Sequence, residues 1–161
     1  EAGDKVISFL AEILLRVTQE HSSEAFVGHI GGDDFLFLVA LDTFETCCEE
    51  VIQRFDAGIQ RFYRDEHVRA GYLESINRQG QRVRFPLMSL SIGVVTSGQR
   101  APGDAMQVSN RAAEMKKYAK GQPGSCYRVD RRTVGAGPAE EMAEDGNVGG
   151  ADAKGASGGG R

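Results

Sequence analysis

Two consecutive carboxylates, Asp33 and Asp34, follow two glycines in the stretch Gly31-Gly32-Asp33-Asp34-Phe35. Paired aspartates supply hard oxygen ligands of the kind magnesium takes, usually alongside the phosphates of a substrate. Glycines at a hairpin tip let a ligand approach the backbone, because no Cβ stands in the way. Together these residues read as a metal–nucleotide site. Its chemistry is displacement at phosphorus, with metal ions stabilising the attacking and leaving oxygens. Gly and Asp also make ordinary solvated turns. What sets this turn apart is the strand that follows it, which is apolar throughout and gives paired acids no other use.

The elements that must hold this tip follow from hydrophobic spacing. Ala25 to Ile30 and Phe35 to Leu41 are two apolar runs around the glycines, which marks a hairpin. The second run, FLFLVAL, is apolar on both faces and is expected to be an interior strand covered from both sides. Ahead of it, Lys5 to Gln19 is an amphipathic helix with Val6, Ile7, Leu10, Ile13, Leu14 and Val17 on one face. Asp4 stands just before that run, where a carboxylate caps free N–H groups. Phe44 to Tyr63 is a second helix, with Cys48, Val51, Phe55 and Ile59 in its buried stripe. Within the polar stretch from Arg64 to Arg84, Gly71 to Ile76 pairs with Gln81 to Phe85 across Asn77-Arg78-Gln79-Gly80. Pro86 opens an alternating strand, Leu87 to Thr96, with Met88, Leu90 and Ile92 facing the core and Ser89 and Ser91 on the less buried side. Asp104 to Lys120 is a third helix, in which Lys116 and Lys117 read as a solvated face. Ser125 to Val129 returns as a short strand. The order predicts an α/β (α+β) fold with an antiparallel-rich central sheet and flanking helices.

Composition narrows the classes of function. The chain has 161 residues, 19 basic and 23 acidic side chains and a formal net charge of −4. That balance argues against a broad nucleic-acid surface. The longest unbroken apolar run, Phe35 to Leu41, is far shorter than the roughly 18 residues that suggest a membrane helix, so no membrane contact is expected. Cys47, Cys48 and Cys126, with His21, His29 and His67, lack the spacing of a zinc site, and a reduced, cytoplasmic setting is expected. Residues 133–161 hold nine of the 21 glycines and no aromatic residue. They read as a Gly/Ala-rich disordered tail behind a folded region over 1–132.

Several segments, in order, resemble the GGDEF domain of the diguanylate cyclase family. Gly3-Asp4 before an apolar helix is similar to the family's G-D-x-x-L segment. His29-Ile30-Gly31-Gly32-Asp33-Asp34-Phe35 resembles its signature hairpin, and Leu90-Ser91-Ile92-Gly93-Val94 its S-I-G-V strand. Arg111-Ala112-Ala113-Glu114 through Ala119-Lys120 resembles its R-A-D-x-A-L-Y-x-A-K helix. The resemblance implies a nucleotide cyclase or palm-like, ferredoxin-like fold and magnesium-dependent condensation of two GTP molecules to cyclic di-GMP, one GTP held by each domain of a homodimer. It also implies an upstream sensory or receiver domain. Asp33 and Asp34 are then the magnesium ligands and catalytic acids, and Gly31 and Gly32 lie against the phosphates. Asp4 accepts hydrogen bonds from guanine, and Lys120 reaches a phosphate. Asp4 also fits a plain helix cap, and Lys120 a plain complement to the helix dipole.

Departures from the family pattern define what is expected of this chain. The family's first strand, with a further metal-binding Asp, and its F-K-x-x-N-D segment are expected ahead of Glu1, so that the N-terminal strand is missing here and this chain alone is expected to be inactive. Asp34 stands where the family has Glu, one methylene shorter, and misplacement of about an ångström can cost about 10²-fold in rate. Gly124 replaces an arginine expected four residues after Lys120, and Ser22 to Ala25 lacks the R-x-x-D inhibition motif. The 64–84 stretch reads as an insertion. Two functions are therefore carried: a diguanylate cyclase, or a degenerate GGDEF module that binds GTP or a partner protein and relays a signal without catalysis.

Overall fold

A computed structural model describes residues 2–97 and 104–131; the tail expected over 133–161 lies outside the described residues. The first helix, α1 (Ala2–His21), and the second, α2 (Phe44–Ile59), pack against each other and form the core. Val6, Ile13, Leu14 and Val17 of α1 meet Cys47, Val51, Phe55 and Ile59 of α2. Their 3–4 spacing puts one apolar stripe on each helix, and burying both stripes removes that surface from water. Thr18 is buried in the same seam, its hydroxyl donating to the Leu14 carbonyl at 2.7 Å. At the polar end of the seam, Arg54 bridges Glu20 and Glu50, and Glu50 also binds His21. The His21 and Arg54 hydrogen bonds hold the Glu50 carboxyl below its ordinary range.

On this helical pair lies an antiparallel hairpin, β1 (Phe26–Gly31) with β2 (Asp34–Leu38). Val27, Phe35 and Phe37 pack on the core. The opposite face does not pack: Leu36 is 43% and Leu38 56% exposed. The expectation of a strand covered on both sides is corrected here, because helices cover only one face of the hairpin.

After α2 a single 3₁₀ turn (Gln60–Phe62) leads to a short helix, α3 (Asp65–Ala70), which the sequence reading did not anticipate. A second antiparallel hairpin follows where one is expected, β3 (Tyr72–Ile76) with β4 (Arg82–Pro86), in a register that sets Ile76 opposite Arg82, one residue beyond the Ile76–Gln81 match that a four-residue turn implies. Its turn is built by Asn77, whose side-chain oxygen accepts from the Gln79 and Gln81 amides. The alternating strand is shorter than expected: β5 covers only Ser91–Val94, and Met88 is 47% exposed rather than core. Leu90 and Ile92 do pack on the core. Met88 lies outside because the Leu87–Ser89 segment joins no strand, so the alternation that would turn it inward is not imposed.

The third expected helix is α4 (Ala105–Lys120), capped by Asp104, whose carboxylate accepts from the Gln107 amide at 2.9 Å. It crosses over to β6 (Cys126–Val129), which pairs with β5 in parallel. A helix between two strands makes a parallel pair possible, since the chain must return to the starting end. The architecture is thus mixed α and β, with helices on small sheets. The described strands form three separate two-stranded ladders rather than one central sheet, two antiparallel and one parallel. No described strand hydrogen-bonds the second edge of β2 or of β5, so the ladders are not joined. Among the described residues, no helix is long and apolar enough to cross a membrane.

Candidate functional site

The tip of the β1–β2 hairpin is a two-residue loop, Gly32-Asp33, closed by the Gly31–Asp34 pair. Gly31 has φ 147° and Gly32 has φ 58°, a region that residues with a Cβ enter only with strain. A Cβ on either glycine would meet nothing within 4 Å, so the backbone here is open to a ligand. His29 braces the loop. Its ring stacks on Phe35 with centroids 4.5 Å apart, and its Nε2 donates to the Gly32 carbonyl at 3.0 Å.

The two acids differ in setting. Asp33 projects from the loop and is exposed. Asp34 begins β2, is half-buried, and forms an ion pair and hydrogen bond with Lys116 of α4. The Lys116 hydrogen bond holds the Asp34 carboxyl below its ordinary range, overcoming partial desolvation, and the charges of Lys116 and Lys120 act in the same direction. The expectation of a solvated face at Lys116 is corrected: it is the partner of a candidate metal ligand. It lies one helical turn before Lys120, so both ammonium groups project from the same side of α4. That spacing was visible in the sequence and is the signal that could have found Lys116.

The position of α4 depends on Gly93 of β5. A Cβ there would lie 2.4 Å from the Ala112 carbonyl oxygen and 2.5 Å from the Lys116 nitrogen, both backbone atoms. Only a glycine lets the helix come this close to the strand, and that approach aims Lys116 at the hairpin. No family model, curated protein or solved structure matches the chain.

The structure brings Asp34, Lys116 and the charge of Lys120 together beside Gly31, Gly32 and Asp33. Asp4 is not part of that constellation. The helix starts at Ala2, so Asp4 sits inside the first turn, where it favours the positive end of the dipole rather than occupying the capping position. Asp4 lines a cleft of about 390 Å³ with Lys5, Ser8, Phe9, Glu12, Arg61 and Phe62, and no hairpin residue contributes to it. The Arg61 guanidinium lies 4.0 Å from the centre of the Phe9 ring.

As metal donors, Asp33 and Asp34 offer two carboxylates, and one Asp34 oxygen is engaged by Lys116. Magnesium bound there would take its remaining ligands from water and phosphate, as it commonly does. Among the described residues, the one group of three metal-ligating side chains is Glu20, His21 and Glu50. Its carboxylates are already committed to Arg54 and His21, and it serves as the clasp between α1 and α2. Cys47 and Cys48 offer no nucleophile: both are buried, and burial pushes the Cys48 thiol up to about 12.

Proposed function

We propose that the chain is a GGDEF-type signalling module that binds GTP at the β1–β2 hairpin, in a cytoplasmic setting. The observation that carries this reading is the hairpin tip itself. Two open glycines and two acids stand beside two lysines of α4. Such a tip suits a triphosphate, whose charge the lysines and a magnesium ion on Asp33 and Asp34 would share. Within this reading, the family's chemistry is condensation of two GTP molecules to cyclic di-GMP across a homodimer. The proposed fold is the palm-like, ferredoxin-like sheet, with a further strand joining the ladders and an upstream domain supplying the input.

One observation favours the second reading, a degenerate module that binds without turnover. Lys116 occupies an oxygen of Asp34, which is already a methylene shorter than glutamate, so that acid is doubly handicapped as a metal ligand. Titration of this chain with a fluorescent GTP analogue tests the binding claim. Asp33→Asn and Lys120→Ala are each expected to weaken magnesium-dependent binding at least about tenfold, the scale of a lost charge-assisted contact. Binding indifferent to both substitutions sinks the reading. Mass spectrometry for cyclic di-GMP, made with the full gene product, separates the two variants: bound GTP without product supports the degenerate module.

A further inference from the structure

The β3–β4 hairpin takes no part in the core or in the nucleotide site, yet it is built with care. Asn77 accepts two backbone hydrogen bonds within its turn, and Gly80 adopts φ 77° to complete it. At its base, the Met88 amide donates to the Tyr63 hydroxyl at 2.9 Å, tying the outgoing chain to the incoming one. Among the described residues, none of its side chains belongs to the hydrophobic core, and its two strands pair only with each other. An isolated two-stranded hairpin is marginal in water, so an ordered one that packs on little else is an arm suited to a partner.

Register identifies the exposed face. Glu74 pairs with Arg84 and Ile76 with Arg82, so these four side chains share one side of the ribbon. Arg82 is 84% exposed at its side chain and Ile76 69% exposed. Glu74 balances one of the two arginines, and Arg78 adds a further positive charge at the tip. Across residues 72–86 there are three basic side chains and one acidic. The complementary charge is in the same molecule: residues 2–63 carry eleven acidic side chains against four basic ones. Exposed members of that set, Glu45 and Glu49, stand one turn apart on α2, with Glu49 also accepting from the Tyr127 hydroxyl. Pairing of two arms edge to edge is disfavoured, because an antiparallel match centred on β4 sets Arg84 against Arg84, and Pro86 lacks an amide.

We propose that the β3–β4 arm is a self-association arm, whose Arg82–Arg84–Ile76 face docks on the Glu45–Glu49 stripe of a second copy of this chain. Two such contacts, related by a two-fold axis, make a reciprocal dimer in which each copy gives an arm and receives one. The association does not rest on the nucleotide reading and is measured without GTP. Sedimentation velocity on the whole chain is expected to show a concentration-dependent dimer that weakens as salt rises, since the contact is charged. R82E/R84E and E45R/E49R are each expected to weaken it by about tenfold or more, and the four substitutions combined to restore it. All four positions are exposed, and circular dichroism verifies that the variants fold. A chain that stays monomeric at low salt, or a dimer unaffected by either charge reversal, overturns the proposal. So does a monomer that binds nucleic acid through the arm.

Discussion

Two antiparallel hairpins of nearly equal length show how differently the same local pattern can be used. β1–β2 has a glycine-rich tip and lays Val27, Phe35 and Phe37 on the α1–α2 core. β3–β4 has an Asn77 turn of comparable quality but adds nothing to the core. Local turn chemistry specifies that a hairpin forms and where it reverses. Whether the hairpin becomes part of the molecule's stability is decided by burial, which is worth roughly 25 cal/mol per Å² of apolar surface removed from water. The packed hairpin holds the candidate site in place, while the unpacked one is left to reach outward.

The contrast can be broken most severely on the packed side. Gly93→Ala forces a Cβ into two backbone atoms of α4, driving the helix and its lysines away from Asp34, and is expected to cost about 3 kcal/mol. Urea denaturation would measure it, and an unchanged midpoint would mean that α4 can shift freely. Next in size is a matched pair. Phe37→Ala in β2 is expected to cost about 2 kcal/mol, because a half-buried ring loses part of the usual burial energy. Phe85→Ala in β4 should remain within about 0.5 kcal/mol of the parent, as exposed positions do. Equal losses at the two sites would erase the distinction between the hairpins.

The tips provide a finer comparison. Gly32→Ala and Gly80→Ala each place a Cβ at positive φ, for an expected strain of about 1 kcal/mol. The first should appear in global unfolding. The second should appear as faster hydrogen exchange at the Gln81 amide with little change in the global midpoint, because the arm can open by itself.

Smallest is the acid dependence of the Asp34–Lys116 pair. The folded carboxyl lies below its ordinary value of 3.8, so its stabilising contribution is present above about pH 4 and is lost as pH falls through the folded value. Lys116→Met should raise the Asp34 value, read by NMR titration, and flatten stability at the acid end. No movement of Asp34 would remove Lys116 from the site.

Helix positions were legible because a 3–4 apolar spacing admits few alternatives: α1, α2 and α4 all lie within a few residues of where Val17, Val51 and Ala119 put them. Both hairpins were legible from glycine and asparagine between strand-like runs. Strand environment was not. FLFLVAL reads as doubly covered, yet Leu36 and Leu38 are exposed, since the covering layer is supplied by tertiary partners the run itself cannot specify. The paired acids were legible as residue types. Their inequality was not, because it depends on Lys116, 82 positions away. The same holds for Asp4, whose cleft with Phe9 and Phe62 brings together α1 and the turn after α2.

The parallel union of β5 with β6 has a kinetic consequence. The Leu90 amide donates to the Ser125 hydroxyl across 35 positions, and the strand ladder continues from that point. Hairpins close in about 1–10 μs, but a parallel pair must wait for its crossover helix and for a longer loop to close. β1–β2 and β3–β4 can therefore zip early on local contacts. The α4–β6 return completes the molecule last, and with it comes the lysine pair that faces Asp34. During synthesis the chain would leave the ribosome with its acidic hairpin formed and its basic counterpart still to arrive. The negative charge of the hairpin tip is thus neutralised only at the final folding step.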